Sequence, residues 1–104
     1  MLYTAKEIRR VVREGLLKDV DRNSNYIKAR LAKQVLLFDP EYGIYGEYMD
    51  LATFNTAIQA MANACKISFW EACRIVKIVR NIAIDIEDGK FNMPSTKEVI
   101  EALK

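Results

Sequence analysis

The chain has 104 residues, a formal net charge of +2, two cysteines and no histidine. That length suits one domain, residues 1–104, with a single core, and 51% apolar against 29% charged residues is a globular balance that excludes a disordered chain. Without histidine the chain has no Ser–His or Cys–His nucleophile pair, and it lacks the commonest general base and zinc ligand.

Two prolines and four glycines leave little punctuation, which favours helices over a many-stranded sheet. Lys77, Arg80 and Asp85 interrupt the apolar stretches well before the roughly 20 residues that cross a bilayer. The opening MLYTAKEIRR lacks the basic-then-apolar order of a signal peptide, so the expectation is a cytoplasmic protein, with Cys65 and Cys73 reduced and buried. Charge is uneven. Residues 1–38 carry nine bases against four acids, residues 39–50 four acids and no base, and residues 51–104 seven bases against six acids. A basic front third suits an acidic partner, or else a solvated helical face.

Thr4 with Glu7 has the capping-box spacing and starts a first helix over about 5–19. Ile8, Val12 and Leu16 form its inner stripe, while Lys6, Arg9, Arg10 and Arg13 gather on another side, a face for nucleic acid or an acidic partner. The run DRNSN reads as a turn before a second helix over about 26–38, with Ile27, Leu31, Val35 and Phe38 inward. Pro40 disfavours helix at Asp39 and stops it there. DPEYGIYGEYMD then spaces Tyr42, Tyr45 and Tyr48 every third residue with glycines between them. It suits a hairpin, a loop stapled to the core by its tyrosines, or a recognition loop in which Tyr42 and Tyr45 contact a partner.

Asp50 caps a third helix over about 51–65, with Leu51, Phe54, Ile58, Met61 and Cys65 inward and five alanines that allow close helix approach. Ser68 with Glu71 spaces a second capping box and starts a fourth helix over about 69–86, closed by Gly89 as a left-handed C-cap. Ala72, Ile75, Val79, Ile82 and Ile86 centre its inner face. Trp70, Arg74, Lys77 and Asn81 fall opposite them in one stripe, a candidate partner-binding set. Cys73, Ile78 and Ile84 lie off the inner face, so this helix is apolar around most of its circumference. Either helices 1, 2 and 5 surround it, or a second copy or a partner covers it, and Trp70 is then packed or interfacial accordingly. Ser95 with Glu98, just after Pro94, starts a fifth helix over about 96–103, with Val99, Ile100 and Leu103 packing back.

No catalytic set emerges. GIYGEY lacks the Lys-Ser/Thr of a phosphate loop. Asp85, Glu87 and Asp88 sit at a helix end where acids are usually solvated, so no metal, cofactor or enzymatic activity is expected. The fold expected is all-α, a compact bundle of about five helices around a central helix–turn–helix pair, with a Tyr/Gly-rich loop.

Within that pair, residues 58–78 resemble the helix-turn-helix family: Ala62 at the helix crossing, Lys66 where the family has its turn glycine, Ile67 as the apolar turn residue, Ser68 as the cap, and Ala72 and Ile75 in the second helix. The resemblance covers about a fifth of the chain. It implies a transcriptional regulator whose second helix enters the major groove, and with Lys66 in the glycine's place either that residue tolerates a left-handed backbone or the turn differs from the family's. In size, charge and helical make-up the chain is similar to short early bacteriophage proteins that bind and block a host machine, some of which, from staphylococcal phages, target the loader of the replicative helicase. That resemblance implies a non-enzymatic inhibitor of DNA replication with a protein partner.

Overall fold

The computed structural model describes residues 3–85 and 87–104, with Tyr48 described in its backbone only. Five helices form in the expected order: α1 (Ala5–Arg13), α2 (Asn25–Leu36), α3 (Leu51–Cys65), α4 (Phe69–Ala83) and α5 (Thr96–Leu103). The fold is all-α, apart from a two-residue antiparallel pair, β1 (Ile84–Asp85) with β2 (Lys90–Phe91). No described helix is long and apolar enough to cross a membrane.

Side-chain caps start each helix. Thr4 and Ser95 form complete capping boxes with Glu7 and Glu98. Asp50 accepts from the Thr53 backbone N–H at 2.7 Å. Ser24, within the stretch read as a turn, caps α2 by accepting from Ile27. The Ser68 box is only half made. Ser68 accepts from the Glu71 N–H, but Arg74 takes the Glu71 carboxylate that would have reached back.

The first helix is shorter than expected. It ends at Arg13, and the chain turns at Gly15, where a Cβ would press on Leu31 and the α2 backbone. Arg30 donates to the Gly15 carbonyl at 2.9 Å and holds that turn, while Leu16 packs half-buried beyond the helix. The fourth helix also stops early, at Ala83, because Ile84 extends into β1. Gly89, at φ +63°, therefore serves the hairpin turn and caps no helix. Asp85 closes that turn, its side chain accepting from the Glu87 and Asp88 N–H groups. Of the inner residues expected on the fourth helix, Ile82 is 37% exposed and Ile86 lies outside the described residues. Ala72, Ile75, Val76, Val79 and Ala83 make the buried face instead. Leu51, expected inward, is 69% exposed in the first turn of α3.

The core is one continuous cluster to which every helix contributes, from Ile8 and Val12 on α1 to Val99 on α5. α2 and α4 run in the same direction: Lys28 near the start of α2 acts on Glu71 near the start of α4, and Asp39 after α2 pairs with Arg80 near the end of α4. α4 packs on α2, α3 and α5. α1, expected among its neighbours, packs mainly on α3 and α2.

The Tyr/Gly-rich segment is a folded loop with one 3-10 turn, Gly46–Tyr48, and no hairpin. Its glycines allow close backbone approach. A Cβ at Gly43 would collide with the Leu37 carbonyl, and one at Gly46 with the Asp39 carbonyl. The half-buried Tyr45 ring lies 5.1 Å from Phe38 and 4.8 Å from Tyr3, measured between centroids.

Candidate protein-binding face

The turn between α3 and α4 spans three residues. Lys66 adopts φ 57°, ψ 44°, so of the two alternatives it tolerates the left-handed conformation. The Ile67 N–H returns to the Ala62 carbonyl at 3.0 Å, which closes α3 in the manner of a Schellman cap. Ile67 is half-buried and Ser68 caps the next helix, so α4 leaves the turn with its first residues outward.

The stripe read from the sequence forms as a surface. Arg74, Lys77 and Asn81 are exposed, and Trp70 is 78% exposed, the highest among the large apolar side chains described as exposed. Trp70 is therefore not a core residue. Among the described residues its only ring contact is edge-on to the half-buried Phe69, with centroids 5.5 Å apart. The cause is helical phase. Ala72, Val76 and Val79 point to the core, and a residue half a turn away cannot reach it.

Glu71 binds Arg74 with both carboxylate oxygens, at 2.6 and 3.0 Å. This bond holds the Glu71 carboxyl below its usual value and raises the Arg74 guanidinium. Arg74 is thereby fixed one turn below the indole, with part of its charge neutralised. Lys77 and Asn81 make no hydrogen bond or ion pair among the described residues. The face is thus an indole, a clamped guanidinium, an ammonium and an amide along about three turns.

Tyr42 and Tyr45 lie elsewhere. Tyr42 stacks on Phe91 at 5.8 Å, with Arg80 over its ring at 5.2 Å. Glu41 beside it raises its phenol. Arg80 is ten residues along α4 from Trp70, about 15 Å of helix. Both tyrosines fasten the loop to the body, and Tyr42, through Arg80, lies away from the Trp70 indole but beside the Lys77 and Asn81 end of the stripe. Lys6, Arg9, Arg10 and Arg13 are all exposed on α1. No described group of His, Cys, Asp or Glu gathers as a metal site would require.

One polar centre escaped the sequence reading. Asp39, 2% exposed, accepts from Arg80 Nε at 2.7 Å and from the Glu41 and Tyr42 N–H groups, while Glu41 takes the other edge of Arg80. The signal was an acid just before proline, paired with the one arginine of α4 that lies off the exposed stripe. It is a structural rivet between the loop and α4. Comparison with protein-family models, with curated proteins and with solved structures finds no match to this chain.

Proposed function

We propose that this protein is a non-enzymatic module that binds another protein through the exposed stripe of α4. The supporting observation is Trp70, an indole held in water on a helix whose opposite face is core. Exposing it leaves apolar area unburied, and tryptophan and arginine are both enriched among the residues that anchor protein interfaces. Arg74 and Lys77 beside it favour a partner with an apolar pocket rimmed by acids. Within this class, the finer reading is an inhibitor or regulator of a replication protein such as the helicase loader, in the manner of small phage proteins.

Wild type and a Trp70→Ala/Arg74→Ala variant, used side by side as baits, should differ by one partner that the variant loses. Trp70→Ala should change folding stability by no more than about 0.5 kcal/mol, as surface substitutions do. A partner retained by the variant would place the contact elsewhere. Calorimetry against a purified helicase loader decides the finer reading. A second copy of the chain would also cover the indole, and light scattering that gives a monomer mass at high concentration removes that reading.

The turn geometry favours one alternative, a helix-turn-helix DNA reader with α4 in the major groove. Lys66 and Ser68 supply the turn, and Arg74, Lys77 and Asn81 are base- and phosphate-contacting types. Against it, Glu71 occupies the guanidinium fork and Trp70 is a poor groove reader. This alternative requires Arg74→Ala/Lys77→Ala to abolish duplex binding.

A further inference from the structure

α1 carries its cations on the side turned away from the core, and α3 lies alongside. Between them runs a cleft of about 280 Å³ lined by Arg9, Arg13, Arg22, Ala60, Asn63 and Ala64. A second cleft of about 350 Å³ adjoins it and shares Arg13, with Lys6 and Arg10 also in its wall. Arg22, from the turn before α2, was no part of the basic face read from the sequence. The fold brings it into the wall of the first cleft with Arg9 and Arg13, while Lys6 and Arg10 line the neighbouring hollow on α1, so five cations gather on this side of the molecule.

None of these five takes part in the ion pairs among the described residues. Glu7 lines the second cleft, but its carboxylate accepts from the Thr4 N–H in the capping box. No carboxylate lines the first cleft among the described residues. Arg13 donates its Nε to the Arg9 carbonyl at 3.3 Å, which steadies that side chain and leaves its terminal nitrogens outward. Asn63 accepts from Gln59 through its oxygen at 2.8 Å, so its amide nitrogen is presented as a donor. Ala60 and Ala64 keep the floor low enough for a ligand to approach the α3 backbone. Like charges gathered this way repel one another, and only Arg10 and Arg13, in the last turn of α1, gain from the helix C-terminus.

We infer that the α1/α3 groove binds the phosphate backbone of duplex DNA. Each rival occupant suits the groove less well. A protein surface would need a buried apolar anchor, and no large exposed apolar residue lines it among the described residues. A single strand would need aromatic platforms for its bases, and none lines the groove among the described residues. Duplex RNA presents its phosphates on an A-form backbone with different groove spacing, and an RNA duplex of the same length should bind more weakly in the same assay. Arginine forks and an amide donor over a small-residue floor are what phosphate oxygens take, and they carry no sequence preference. This surface is separate from the α4 stripe and does not depend on it. A protein that holds its partner through α4 would thereby meet it on DNA.

The test is fluorescence anisotropy of a labelled random-sequence duplex across a salt series. Wild type should bind at low salt and weaken linearly on a log–log plot. Arg9→Gln/Arg13→Gln/Arg22→Gln should bind more weakly, with a slope shallower by about 2 to 3, near 0.9 per phosphate lost. Each single variant should shift the slope by about 1, which keeps the test open if the triple variant misfolds. Trp70→Ala should bind the duplex like wild type. The inference is overturned by any of three results: no binding by folded wild type at low salt, an unchanged slope in the variants, or equal binding of a single strand or of polyglutamate at matched charge.

Discussion

Lys66 shows how one residue sets the course of the chain. A left-handed backbone costs a side-chain-bearing residue about 1 kcal/mol more than glycine, yet the turn that aims α4 requires it. Lys66→Gly should therefore stabilise the protein by about 0.5–1 kcal/mol, partly offset by the looser unfolded chain. A urea titration with unchanged slope would show this as a higher midpoint. Asp50 illustrates the same economy with charge. Its hydrogen bonds to Thr53 hold its carboxyl below the ordinary value of 3.8. Because the folded value is the lower one, the contribution is complete above about pH 4 and fades as acid protonates the cap. Asp50→Asn keeps an acceptor that cannot titrate, so its stability should fall less between pH 5 and pH 3 than that of wild type, as followed by thermal melting.

At the scale of elements, the loop after α2 is held by an ion pair, two glycines and stacked rings, with little regular structure of its own. Asp39 is central because one carboxylate serves Arg80 and two backbone N–H groups. Asp39→Ala leaves those donors unpaired, with Arg80 only a third exposed, and should cost about 2–4 kcal/mol. Double-mutant analysis with Arg80→Met should show strong coupling, whereas additive effects would mean the pair is not a unit. The loop and the end of α4 would loosen together, visible as faster amide exchange at Gly43, Tyr45 and Gly89, while α1 keeps its protection.

For the molecule as a whole, one core serves every helix, so its removal is felt everywhere. Phe38 is fully buried and joins α2 to Tyr3 and Tyr45. Phe38→Ala should cost about 3–5 kcal/mol, a large share of the 5–15 typical of a domain this size. Circular dichroism and near-ultraviolet signals should melt together at a lower temperature. Separate transitions would show that the helices do not share one cooperative core. On the outside of that core, an aromatic stripe on α4 and a basic groove between α1 and α3 offer two chemistries on separate elements.

By itself the sequence determined what depends on near neighbours along the chain. Helix starts were legible because a cap is a contact across three residues, so Thr4, Asp50, Ser68 and Ser95 marked α1, α3, α4 and α5. The α4 stripe was legible too, since helical phase alone sets Trp70 opposite Val79. Helix ends were less so. α1 gave way at Gly15 to Arg30 of another helix, and α4 gave way to a strand paired with Phe91. Only the tertiary structure decided whether the far side of α4 was covered, because that depends on where α1 packs, and α1 chose α3. It also buried Asp39 against Arg80 and carried Arg22 to Arg9 and Arg13. Those pairings join residues far apart in the chain, through contacts that no local spacing encodes.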